Sequence, residues 1–133
     1  VFNALASKLA ERSGFAACYL SGGDLSAGSG VPDVGLLTLN EFVDEARRIT
    51  HSTQIPLLCD ADTGFVEALN VERTVNLFEQ AGAAGIHLED QLFPKRCGHL
   101  SGKSIIEPEQ MTAKIRAACA ARRDSDFVII ART

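Results

Sequence analysis

The chain has no tryptophan, one tyrosine (Tyr19) and one methionine (Met111). It also has no CxxC pair. Cys18, Cys59, Cys97 and Cys119 are scattered, and the first two lie in apolar runs, where a free thiol packs as a small hydrophobe. This usage argues against a disulfide framework and fits a reducing compartment. No apolar stretch approaches the ~20 residues that span a bilayer. The opening VFNALASKLAERSG is patterned as a helix, not as a secretory signal with a charged start and an apolar centre. With a net charge of −4 and no basic stripe or run of like charge, neither nucleic acid nor a membrane is expected as a partner. GxGxxG is missing too, so a dinucleotide has little support. A cytoplasmic protein is the expectation, with a mitochondrial setting open.

What is present is 133 residues, 46% of them hydrophobic, enough for one domain with a core. Apolar runs at 15–20, 55–60, 83–88 and 127–132 are bounded by turn residues, as suits strands covered on both faces of a parallel sheet. Between them lie helical patterns. Asn3 to Gly14 carries the stripe Leu5, Ala6, Leu9 and Ala10. Thr38 and Glu41 form a capping box ahead of Phe42, Val43, Ala46 and Ile49. Asn70 to Ala81 sets Val71, Val75 and Phe78 on one face and stops at Gly82, while Pro108 opens a last helix bearing Met111, Ile115 and Ala118. The segment SGGDLSAGSGVPD is expected to be loop.

Helix and strand therefore alternate, which implies parallel strands joined by right-handed crossovers. All four strands end in polar chemistry: Ser21-Gly22-Gly23, Asp60 and Asp62, Glu89 and Asp90, and Arg132. An open doubly wound sheet gathers its ligand at one switch point, whereas a barrel draws residues from consecutive strand ends into one mouth. The expected fold class is α/β, a (β/α)₈ barrel. Such a barrel needs eight strands and roughly 250 residues, so residues 1–133 read as one partial-barrel domain, a fragment of about four strand–helix units. An alternative of another class is a non-catalytic remnant whose exposed edges invite aggregation.

The chemistry concentrates between Gly85 and His99, GIHLEDQLFPKRCGH. Lys95, Arg96, Cys97 and His99 fall within five positions, with Gly98 able to turn the backbone between thiol and imidazole. A lone Cys among cations is where a thiol becomes reactive. Asp60-x-Asp62 followed by Glu89 on the next strand suits Mg²⁺, a hard cation that keeps waters and takes other ligands from substrate. Read alone, the Asp pair could equally be a loop-entry turn. Zinc on Cys97, His99 and His87 matches no common structural spacing. Ser21-Gly22-Gly23 could cradle an anion with backbone N–H groups. Arg132 could fork a carboxylate or pair with a neighbouring acid.

KRCGHL (95–100), YLSG (19–22), DADTGF (60–65), HLEDQ (87–91) and ART (131–133) together resemble the isocitrate lyase and phosphoenolpyruvate mutase superfamily, across nearly the whole chain. The resemblance implies a Mg²⁺-dependent (β/α)₈ barrel, a homotetramer, acting on a small carboxylate. It implies Asp60, Asp62 and Glu89 as metal ligands, some through water, with Asp33 near the metal. Ser21, Gly22, Gly23, Cys97, Gly98, His99 and Arg132 would bind substrate. Cys97 would be the general acid/base, with Lys95, Arg96 and His99 around it and Tyr19 a candidate base. Cys in a CGH loop is associated with the lyases of methylisocitrate, isocitrate and dimethylmalate, and methylisocitrate is the expected substrate, giving pyruvate and succinate. Mutases and the oxaloacetate decarboxylase type are the same-fold alternatives. Val66 stands where many relatives carry Gly.

Overall fold

Side-chain caps start two of the helices where the sequence places them. The computed structural model describes residues 1–133. Asn3 accepts the Ala6 N–H at 2.8 Å and opens α1 (Ala4–Arg12). After β1 (Cys18–Leu20) comes α2 (Gly22–Gly28), where the sequence suggested loop. The glycines do not prevent it, because Ser21 caps the helix by accepting the Asp24 N–H at 3.2 Å and Leu25 and Ser26 are buried beneath it. Thr38 and Glu41 form the expected capping box on α3 (Leu39–Thr50). Then follow β2 (Leu57–Asp60), α4 (Ala68–Gln80), β3 (Gly85–Glu89), α5 (Pro108–Ala121) and β4 (Val128–Arg132). The first two strands begin later than the apolar runs: Phe15 is exposed, and Pro56 has no N–H to give to a ladder.

All strand pairs are parallel and the sheet order is β1-β2-β3-β4. Sequential order separates the two architectures, since a doubly wound sheet must reverse its order at a switch point. Neighbouring helices touch in the sequence α1, α3, α4, α5, and α3, α4 and α5 each pack on a strand. Four units so arranged make half of an eight-stranded barrel, with β1 and β4 each paired along one edge only. No helix is long and apolar enough to cross a membrane.

The core lies between strands and helices. Leu20, Leu57, Cys59, Ile86 and Leu88 from the sheet meet Phe42, Ala46 and Ile49 of α3, Val71, Val75 and Phe78 of α4 and Ala118 of α5. The register places Asp60 beside His87 and Glu89 beside Arg132. The carboxyl ends of the strands therefore finish level, and the polar residues that follow them share one end of the sheet.

Candidate active site

At that end lies an open cavity of about 880 Å³. Every strand or its following segment contributes to its wall: Tyr19 of β1 and Ser21 and Gly23 after it, Asp60 from β2, Glu89 of β3 and Asp90 after it, and Arg132 from β4. Asp33, Lys95, Cys97, Gly98 and His99 line it from the loops. Most residues singled out in the sequence thus converge. Three do not reach the cavity, namely Gly22, Asp62 and Arg96.

Each has a local reason. Gly22 is buried in the first turn of α2, and its N–H donates to Asp60 Oδ2 at 3.3 Å. A Cβ there would come within 2.9 Å of the same oxygen, so glycine lets helix and carboxylate meet. The Ser21 hydroxyl is already used as the cap of α2. The anion cradle expected at 21–23 is therefore largely spent inside the protein. Arg96 is exposed, its guanidinium near the Ser101 carbonyl at 3.5 Å.

Asp62 is 5% exposed and faces Lys95, which is 3% exposed. The ammonium lies 2.7 Å from Asp62 Oδ1 and also bonds the Asp33 carboxylate. Burial works against the charge on Lys95, but Asp62 and Asp33 outweigh it and raise its pKa. Burial, followed by the neighbouring Asp60 charge, pushes Asp62 up to about 7. Lys95 is thus an anchor between two loops rather than a free cation. The same loop is fixed again where the Cys97 N–H donates to the Asp33 carbonyl at 2.9 Å. Half-buried Cys97 is left facing the cavity beside exposed His99.

Half-buried Tyr19 and buried His87 form a second pair. The phenol oxygen bonds His87 Nε2, and the rings stack with centroids 5.3 Å apart. His87 Nε2 also lies 3.5 Å from Asp60 Oδ1. Burial and then the Asp60 charge push the Tyr19 pKa upward. Burial likewise lowers that of His87 against the pull of Asp60. At neutral pH a phenol so raised keeps its proton and can donate a hydrogen bond. With His87 committed beneath the cavity wall, the zinc grouping of Cys97, His99 and His87 does not assemble.

No three His, Cys, Asp or Glu side chains gather as a direct metal cage, so the expected set of Asp60, Asp62 and Glu89 would act partly through water. Asp62 is turned to Lys95, and one oxygen of Glu89 is bonded by Arg132. Two donors remain suited to Mg²⁺. Asp60 lines the cavity, and Glu89 Oε1 is buried with no partner. A cation that keeps several waters and draws on substrate oxygens needs only one or two carboxylates.

Two contributors carried no assigned role in the sequence. Gln91 holds the loop that carries Lys95 and Cys97 by both ends of its amide, donating to the Arg96 carbonyl at 2.9 Å and accepting the Arg96 N–H at 3.0 Å. Lys114 reaches from α5 to the loop after β2. Its signal was legible as a cation within the Met111, Ile115, Ala118 stripe; Gln91 showed only as the last residue of HLEDQ.

The loop after β2 is strained. Asp62, Phe65 and Val66 have φ of 46°, 57° and 99°, in a region that L side chains seldom adopt and β-branched ones least. Val66 is 41% exposed and packs little. Strain of this kind costs roughly 1–3 kcal/mol, against roughly 0.5–1 kcal/mol for glycine's greater unfolded freedom. Val66→Gly should therefore raise stability by about 1 kcal/mol in urea unfolding. A loss of stability would show that the valine contacts outweigh the backbone strain.

The family model described as phosphoenolpyruvate phosphomutase matches residues 1–133. The chain belongs to the phosphoenolpyruvate mutase/isocitrate lyase superfamily. Among curated members it is 53% identical to a 2-methylisocitrate lyase of Aeropyrum pernix, over 100% of this chain and 42% of the relative. Among solved members it superposes on 2,3-dimethylmalate lyase with a TM-score of 0.95 at 39% identity, covering 100% of this chain and 46% of that one. Phosphonopyruvate hydrolase, solved with oxalate and Mg²⁺, gives 0.90 at 42% identity, covering 99% and 45%. The chain thus spans less than half the length of the superfamily members it matches, in keeping with four of eight barrel strands.

Proposed function

We propose that the whole protein is a carbon–carbon lyase acting on a 2-hydroxy di- or tricarboxylate, with 2-methylisocitrate cleaved to pyruvate and succinate. The observation that carries the reading is Cys97 facing a cavity walled by Asp60, Glu89 and Arg132. The likeness to proteins named 2-methylisocitrate lyase supports the same substrate. A second reading, a dimethylmalate substrate, is favoured by the superposition on 2,3-dimethylmalate lyase.

Asp60 and Glu89 would hold Mg²⁺, with Asp62 tied to Lys95 behind them. The metal would supply charge stabilisation where the substrate hydroxyl becomes an alkoxide. Arg132, at the same strand end, binds a substrate carboxylate in this scheme, exchanging part of its bond to Glu89 for the ligand. Loss of the hydroxyl proton to solvent water in the open cavity lets the alkoxide collapse to the keto acid as the adjacent carbon–carbon bond breaks. The departing fragment carries the electron pair as an enolate-like dianion. Cys97 gives its S–H proton to that carbon, forming the second product and leaving a thiolate to be reprotonated before the next turnover. His99 and Gly98 border this thiol at the cavity mouth. A homotetramer remains the expected assembly, as the family resemblance suggests.

The test is an assay of keto acid release from 2-methylisocitrate, isocitrate and 2,3-dimethylmalate with Mg²⁺, comparing the whole protein with Cys97→Ser. Cleavage of 2-methylisocitrate that falls by on the order of 10²-fold or more in the variant supports the acid role. Unchanged turnover would overturn it. Preference for dimethylmalate would select the second reading, and no cleavage of any of the three would move the chain to the mutase or decarboxylase branch.

A further inference from the structure

We propose that Lys114 is a positioning residue that fixes the loop after β2, and through it the placement of Asp60 for Mg²⁺. The inference rests on the metal reading above. Lys114 sits on α5, in the outer layer, yet it is only 6% exposed. Its ammonium donates to the Thr63 carbonyl at 2.9 Å, 51 residues away in the chain. Burial lowers its pKa, and only the Glu67 charge is set against that. An ammonium taken from water for one carbonyl is a poor device for stability alone. At this position in the stripe of Met111 and Ala118, leucine or methionine would fill the space without that penalty.

What the contact does hold is specific. Residues 62 to 66 include four with positive φ, counting Gly64 at 79°, a backbone that persists only when its surroundings over-determine it. The ties on either side of Thr63 lead to the cavity. The Asp62 carbonyl accepts the Glu89 N–H at 2.8 Å, and the Asp62 N–H donates to Asp60 Oδ1 at 2.9 Å. The Thr63 hydroxyl itself is buried without a partner, so the Thr63 carbonyl is the segment's tether to α5. Released from Lys114, the strained turn can relax toward ordinary φ values. The Asp62 N–H would then swing from Asp60 Oδ1, and the carboxylate would lose its fixed orientation.

The experiment compares the whole protein with Lys114→Met and Lys114→Arg. Two quantities are read: the Mg²⁺ dependence of the melting temperature without substrate, and the kinetics of lyase turnover. Lys114→Met is expected to melt close to the parent in metal-free buffer while its half-saturating Mg²⁺ concentration rises about tenfold in both readouts. Lys114→Arg, which keeps a donor for the carbonyl, should restore most of it. If Lys114→Met does not fold, Lys114→Leu, which likewise has no donor for the carbonyl, makes the same comparison. A variant that loses stability with an unchanged Mg²⁺ half-point would overturn the proposal, leaving Lys114 as packing only. A parent whose melting ignores Mg²⁺ would overturn it together with the metal reading. A parent that binds Mg²⁺ but cleaves nothing strikes the lyase reading alone, and the melting comparison still decides the role of Lys114.

Discussion

Lys95→Met should cost about 3–5 kcal/mol of folding stability, the range for removing one partner of a buried ion pair. The size follows from what is left behind. Lys95 carries the only positive charge bonded to Asp33 and Asp62, and the latter is 5% exposed. Methionine fills the space of the aliphatic stem, so little of the loss comes from packing. The pH dependence separates charge from shape. Asp62 already stands at about 7, chiefly through burial and then through Asp60. The native state therefore holds more protons than the unfolded chain between the ordinary Asp range and pH 7, so this group's contribution falls as pH rises across that window. Without the ammonium Asp62 is driven higher still. In metal-free buffer the variant should regain stability as pH is lowered from 8 toward 5, more steeply than the parent. Lys95→Met combined with Asp62→Asn should recover part of the loss at pH 8. A single variant that unfolds less than 1 kcal/mol earlier in urea, with a flat pH profile, would refute the buried-pair account.

This gives a structural place to a residue that the sequence put among the candidate catalytic groups. Spacing in the chain can bring Lys95, Arg96, Cys97 and His99 to one loop, but it does not say which way each side chain turns. Lys95 turns inward because Asp33 and Asp62 wait there from loops 62 and 33 residues away in sequence. Arg96 turns outward because Gln91 fastens its backbone by two hydrogen bonds. Long-range partners of this kind leave no local periodicity. The barrel half was legible because it rests on local signals: Asn3 and Thr38 as caps, Gly82 with a φ of 81° as a stop, Pro108 at a first turn, and apolar runs for buried parallel strands. Helix α2 was missed where two glycines outweighed the Ser21 cap. The strand-end location of Asp60, Glu89 and Arg132 was legible too, since alternation alone puts strand ends together. Their pairings, Asp60 to Gly22 and Glu89 to Arg132, needed the register.

That register depends on one glycine, and Gly85→Ala should cost about 3 kcal/mol or more, at the upper end for overpacking. A Cβ at Gly85 would lie 2.5 Å from the Val128 carbonyl oxygen, 2.8 Å from Val128 Cβ and 3.1 Å from Val128 Cα. No rotamer relieves a clash in which two of three partners are backbone atoms. The strands cannot part cheaply either, because Val128 N–H donates to the Ala84 carbonyl at 2.9 Å right beside the site. Relief must come from opening or sliding the β3–β4 ladder, whose five paired positions run from Gly85 and Val128 to Glu89 and Arg132. The damage therefore reaches the cavity from the far end of the strand. A one-residue slip would reverse which face each side chain of β4 occupies, removing Arg132 from Glu89 and from the substrate carboxylate it is proposed to bind. Gly98→Ala is the stability control, since an added methyl there meets nothing within 4 Å and should change stability by no more than about 0.5 kcal/mol. Urea unfolding of both variants checks the contrast. Equal midpoints would mean that β3 and β4 have room to spare, and that the level strand ends on which the site is built do not depend on their close approach.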